Sequence, residues 1–155
     1  MAKMVKVGMA DLNICHSPDA ITTLGLGSCV GVALYDKNTK TAGLVHVMLP
    51  DSTKVRQNQN RAKFADTGID YLIELLEKEG AKKSSLTAKI AGGAQMFAFS
   101  SSNDMLRVGE RNVEAVKDKL KKLGIRILAE DTGLNYGRTV EFYPCLLYTS
   151  DAADE

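Results

Sequence analysis

Apolar positions along the chain fall into short dense runs and longer spaced stripes, and the two patterns predict different elements. Residues 29–36 (C-V-G-V-A-L-Y-D) and 42–49 (A-G-L-V-H-V-M-L) are valine-rich runs separated by the polar K-N-T-K-T. That pattern predicts a β-hairpin, its second strand stopped by Pro50. Runs at 4–9, 20–26, 86–93, 125–130 and 138–143 predict further strands. In 61–79, Ala65, Ile69, Leu72, Ile73 and Leu76 recur at helical spacing and Gly80 follows as a stop. In 110–123, Val113, Val116, Leu120 and Leu123 do the same before Gly124. The polar stretch 51–60 reads as a loop. Strands outnumber helices and two of them form a hairpin. The expected fold class is α/β: a layered α/β sandwich with a mixed β-sheet core and helices packed on the outside.

Composition narrows the picture. A chain of 155 residues fits one domain, and its net charge of +1 gives it no general affinity for polyanions. With 6% aromatic residues it lacks a base-stacking platform, so nucleic acid is not an expected partner. No apolar run approaches the roughly 18 residues that span a bilayer, so no membrane insertion is expected. The N-terminal M-A-K-M-V-K-V-G lacks a signal-peptide core. Cys15, Cys29 and Cys145 are odd in number and irregular in spacing, which favours reduced thiols and a cytoplasmic location.

The hairpin carries the candidate chemistry. Val30, Val32 and Leu34 alternate along one strand, and Val45, Val47 and Leu49 along the other. Pairing these sets on one face puts Cys29 and His46 together on the opposite face, as direct or diagonal neighbours roughly 5 to 8 Å apart. Gly31 and Ala33 share that face and are expected to leave room for a ligand. An ordinary thiol is only a few per cent ionised at neutral pH, so a neighbouring imidazole that takes its proton would make it a nucleophile. In the turn ahead of Cys29, Gly25, Gly27 and Ser28 offer close backbone approach and N–H groups for an oxyanion. The Thr23 hydroxyl supplies a possible third member that orients the imidazole. The alternative stays open: a cysteine packed as a small hydrophobe, beside glycines that merely punctuate a turn.

Other motifs are weaker. Cys15–His16 together with Cys29 and His46 match no paired zinc-ligand spacing. The turn G-G-A at 92–94 lacks the Lys-Ser/Thr of a phosphate loop and reads as a tight turn. The lysines of 116–124 suit a helix C-terminus. Lys54, Arg56, Arg61 and Lys63 flank the hairpin and could meet an acidic surface.

T-L-G-L-G-S-C-V (23–30) followed by G-L-V-H-V-M-L-P (43–50) resembles the CheD family of chemoreceptor glutamine deamidases. F-A-D-T-G-I (64–69), A-K-I-A-G-G-A (88–94), G-E-R-N-V (109–113) and N-Y-G-R-T-V (135–140) match it in the same order, over about residues 4–143. The resemblance implies a cysteine hydrolase that converts glutamine side chains of methyl-accepting chemoreceptors to glutamate through a thioester. It implies Cys29 as nucleophile, His46 as general base and Thr23 as the orienting residue, with no metal or organic cofactor. It further implies a fold akin to the cytotoxic necrotizing factor deamidase toxins. Receptor cytoplasmic helices would be the substrate, offered to an open groove. A CheC-type phosphatase is an implied partner, and a non-catalytic module that binds and stimulates such a phosphatase is the alternative function. The domain expected is 1–143. The tail 144–155, P-C-L-L-Y-T-S-D-A-A-D-E, departs from the family and resembles translated adaptor sequence, so Cys145 is given no role.

Overall fold

The structure, a computed structural model, describes residues 2–95 and 107–144. In chain order the elements are β1 (Met4–Val7), β2 (Leu12–His16), β3 (Ala20–Leu26), β4 (Val30–Asp36), β5 (Thr41–Val47), α1 (Ala65–Lys78), β6 (Leu86–Gly92), α2 (Val108–Leu123), β7 (Arg126–Thr132) and β8 (Arg138–Phe142). Cys145 and the rest of the tail lie outside the described residues. Among the described residues, no helix is long and apolar enough to cross a membrane.

The strands form two sheets rather than the one expected, ordered β2-β5-β4-β6-β7 and β1-β3-β8. Both are mixed. In the larger, β6 and β7 are parallel and the other pairs antiparallel. In the smaller, β1 runs parallel to β3 and β8 antiparallel to it. The helices cover one face of the large sheet, where Val30, Val32, Leu34, Val45 and Val47 pack against Ile69, Leu72, Leu76, Val116 and Leu120. The small sheet covers the other face, bringing Ile21 and Phe142 against Ala33, Ala42 and Leu44. All of β5 is buried, as is all of β4 except half-buried Tyr35. Continuous apolar runs of this kind suit a strand covered on both faces.

Local chemistry sets the boundaries. The predicted helix from 61 begins as a single 3-10 turn over Arg61–Lys63, capped by the Asn60 side chain, and becomes α-helical only at Ala65. At the far end of α2, Gly124 takes φ +73° and donates its N–H to the carbonyls of Leu120 and Lys121. β2 was not anticipated: L-N-I-C-H is short and half polar, and it becomes an edge strand by pairing with β5.

Candidate active site

Strand register brings the two hairpin residues together. Val30 pairs with Val47, Gly31 with His46 and Val32 with Val45. The valines face the helices, so Gly31 and His46 face the small sheet. Cys29 precedes Gly31 by two residues, which makes it the diagonal neighbour of His46 on that face. It is 7% exposed and packs with Leu26, Ala91, Val140 and Met48.

The room expected beside Gly31 and Ala33 shrinks to a crevice, shared with Ala91 and Val140, that is too narrow for a water molecule. A Cβ at Gly31 would stand 3.2 Å from Leu26 Cδ1 and 3.5 Å from Thr23 Cγ2. Ala33 packs in the apolar layer between the sheets. The cause is the second sheet, whose β3 lies over the hairpin and fills the space the small side chains leave.

That same layer delivers Thr23 to the imidazole. Thr23 Oγ1 lies 2.8 Å from His46 Nδ1 and donates over 2.8 Å to the carbonyl of Val7. A hydroxyl has one proton, and a carbonyl can only accept. Thr23 therefore spends its proton on Val7, and the Nδ1 contact requires the ring to donate. The neutral imidazole is thus held with its proton on Nδ1 and its lone pair on Nε2. Nε2 is buried and, among the described residues, has no hydrogen-bond partner. His46 itself is wholly buried, and this desolvation pulls its pKa below the ordinary 6.5. Burial likewise pushes the Cys29 thiol above its ordinary 9.0. The resting pair is a neutral thiol beside a neutral imidazole, not a preformed thiolate–imidazolium pair.

The loop carrying Cys29 is pinned by its carbonyls. Gly27 O accepts from Ala94 N–H at 2.8 Å and Cys29 O from Gly93 N–H at 2.8 Å. Ser28 O accepts from Asn112 Nδ2 at 2.9 Å. The N–H of Gly27 is occupied by the Gly25 carbonyl at 3.0 Å. Gly25 itself is exposed at φ +71°, within the bulge where β3 and β8 shift register. Among the described residues, none of the turn and loop hydrogen bonds uses the N–H of Ser28 or Cys29.

The G-G-A stretch is the tight turn expected, and it clamps this loop, with the N–H groups of Gly93 and Ala94 spent on the carbonyls just named. Gly92 sits at φ +113°, where a Cβ would come 2.2 Å from Cys29 O. Gly109 on α2 packs as closely, since its Cβ would come 2.4 Å from Ala94 O. Two residues of the site escaped the sequence reading. Asn112 is wholly buried and bonds Met48 O as well as Ser28 O. Arg138, 9% exposed, donates to Gly133 O at 2.9 Å, faces Asp131 at 3.3 Å and stacks over Tyr136, tying the β7–β8 loop down. Extending the α2 stripe back four positions from Val116 reaches Asn112, and that polar residue in core register was the available signal.

Several of the remaining candidates are used locally. Cys15 is buried, while the His16 ring points the other way, to Thr41 and Glu79. Adjacent residues on a strand face opposite sides. Arg61 is committed to Glu74 and Tyr71, Lys117 to Glu130 and Lys119 to Asp70.

Comparison with known proteins gives the family. A family model described as CheD, chemotactic sensory transduction, matches residues 48–146. The chain belongs to the CheD family. It is 72% identical over 144 residues to a probable chemoreceptor glutamine deamidase CheD of Lachnoclostridium phytofermentans, covering 93% of this chain and 89% of that protein. It is 61% identical over 145 residues to the chemoreceptor glutamine deamidase CheD of Halalkalibacterium halodurans, covering 93% and 90%. To that of Bacillus subtilis it is 53% identical over 150 residues, covering 95% and 90%. The CheD model match contains Gly92, Asn112 and Arg138 but starts after Thr23, Cys29 and His46. An alignment of 144 residues in a chain of 155 necessarily spans those three as well.

Proposed function

We propose that this chain is a chemoreceptor glutamine deamidase in which Cys29 is the nucleophile, His46 the general base and Thr23 the residue that orients it. The observation carrying this reading is the chain of hydrogen bonds from His46 Nδ1 through Thr23 to Val7. It leaves the Nε2 lone pair unoccupied on the face that Cys29 shares. Membership of a family whose curated relatives bear the name chemoreceptor glutamine deamidase supplies the substrate class.

The reaction follows from those groups. As Cys29 Sγ attacks the glutamine Cδ, His46 Nε2 takes the thiol proton, so the thiolate forms only as the new C–S bond does. The carbonyl oxygen gains negative charge, met by the N–H groups of Ser28 and Cys29. The imidazolium returns its proton to the departing nitrogen, ammonia leaves and a thioester remains. Water, deprotonated by the same Nε2, adds to the thioester; Cys29 leaves as thiolate, regains the proton, and glutamate is released. Both proton abstractions, from the thiol and from water, need a neutral imidazole with a free Nε2, and both proton returns use the imidazolium so formed. In the apo state that nitrogen is not hydrogen-bonded to Cys29. Catalytic bonds of this kind commonly tighten only when substrate arrives. The sulfur is recessed, which suits a carboxamide presented at the end of a flexible methylene stem from a receptor helix.

The test is a receptor cytoplasmic fragment incubated with the wild type and with Cys29→Ala. Ammonia release and the Gln-to-Glu mass change are expected with the wild type alone. Equal deamidation by the alanine variant overturns the proposal.

A further inference from the structure

The buried face of α2 runs Gly109, Asn112, Val116 and Leu120, which sets a primary amide in a stripe otherwise of glycine and aliphatic residues. Burying an amide is unfavourable unless its hydrogen bonds are made. Here Nδ2 donates over 2.9 Å to Ser28 O and over 2.9 Å to Met48 O. Both partners are carbonyls, so the orientation of the amide follows from chemistry: only the NH2 end can satisfy the two. Oδ1 is buried and has no partner among the described residues. The two donated bonds are what this position provides.

Their placement is informative. The ladder between β4 and β5 ends at the pair Val30–Val47. Ser28 and Met48 lie just beyond it, one residue before Cys29 and two after His46. The Asn112 amide bridges the two chains where backbone pairing has stopped, so it acts as a side-chain rung. The rest of α2 reinforces it, because Gly109 packs on the Gly93–Ala94 turn that holds the carbonyls of Cys29 and Gly27.

We propose that Asn112 is a positioning residue for deamidation, fixing the Cys29 loop relative to His46 without touching substrate. The proposal rests on the deamidase reading above. Its test compares wild type, Asn112→Ala, Asn112→Asp and Cys29→Ala on a receptor cytoplasmic fragment. Turnover is normalised to the folded fraction measured by circular dichroism. Misplacing the nucleophile lowers kcat by about 10- to 100-fold. KM stays within about twofold, because the surface that meets the receptor is untouched. Asn112→Asp keeps the size, but its ionised carboxylate can only accept and repels both carbonyls, so its kcat falls at least as far as that of Asn112→Ala. Wild-type kcat per folded molecule in either variant, with Cys29→Ala inactive, overturns the positioning role alone. Failure of both variants to fold assigns Asn112 to stability and also overturns it. Wild-type turnover by Cys29→Ala removes the deamidase reading, and this proposal with it.

Discussion

Replacing Thr23 by valine keeps the shape of the side chain and deletes one oxygen, the atom that both contacts His46 Nδ1 and donates to Val7 O. Thr23 is 1% exposed and His46 wholly buried, so water is poorly placed to substitute. Each buried polar group left without a partner costs about 1–3 kcal/mol. The ring N–H is left, whereas the Val7 carbonyl stays in the β1–β3 ladder, so Thr23→Val is expected to cost about 1–3 kcal/mol. That is a sizeable share of the roughly 5–15 kcal/mol that stabilises a typical domain. At about 2–4 °C per kcal/mol for a chain of this size, Tm falls by roughly 2–12 °C. The imidazole has a partial escape: it can move its proton from Nδ1 to Nε2. That tautomer can no longer accept the thiol proton, so folded molecules also lose the general-base contribution, about 10²–10⁴ in rate. Thr23→Ser, which keeps the hydroxyl, is expected to retain most activity. Differential scanning calorimetry, deamidation kcat at a temperature where all variants are folded, and nitrogen-15 shifts of the His46 ring together read the effect. Wild-type kcat and Tm in Thr23→Val would refute the deduction that this hydroxyl sets the tautomer.

Three further expectations concern the loop and the charge state of the pair. Gly92→Ala places a Cβ 2.2 Å from Cys29 O at φ +113°, whereas Gly124→Ala, at φ +73°, meets nothing within 4 Å. Gly124→Ala should therefore cost only about 1–2 kcal/mol of left-handed strain. Gly92→Ala should lower the urea midpoint much further and abolish deamidation; equal midpoints would contradict the close packing. Alkylation of Cys29 by iodoacetamide should rise with pH along a curve whose midpoint lies above 9.0, since burial holds the thiol neutral. A plateau at neutral pH would show a preformed thiolate instead. His46 has its folded pKa depressed below 6.5, so between that value and 6.5 the unfolded chain binds more protons. Its contribution to stability is complete above 6.5 and is lost as pH falls below it, a loss that urea titrations should find missing from His46→Gln.

Some of this was legible in residue order and some was not. The α1 stripe Ala65, Ile69, Leu72, Ile73 and Leu76 is buried as its spacing requires, because helical periodicity is a local property. β2 was missed because Asn13 and His16 interrupt its apolar pattern, and an edge strand takes its form from its neighbour. In the α2 stripe, Val116 and Leu120 are buried, whereas Val113 and Leu123 sit at its margin. Asn112 occupies the core position that spacing alone would have given to an aliphatic residue.

Within the hairpin, period-two alternation was enough to put Cys29 and His46 on a common face, since matching the valines of β4 and β5 allows no other parity. What the chain order could not contain is what covers that face. The second sheet buries it, fills the space beside Gly31 with Leu26, and brings Thr23 and Val7 into line to choose the imidazole tautomer. The same holds for the clamp of Gly92, Gly93 and Asn112 on the cysteine loop. These contacts join different strands and helices, 16 positions apart for Thr23 and Val7 and 84 for Asn112 and Ser28, and a repeat of two or of 3.6 residues carries no information about which backbone will lie against it.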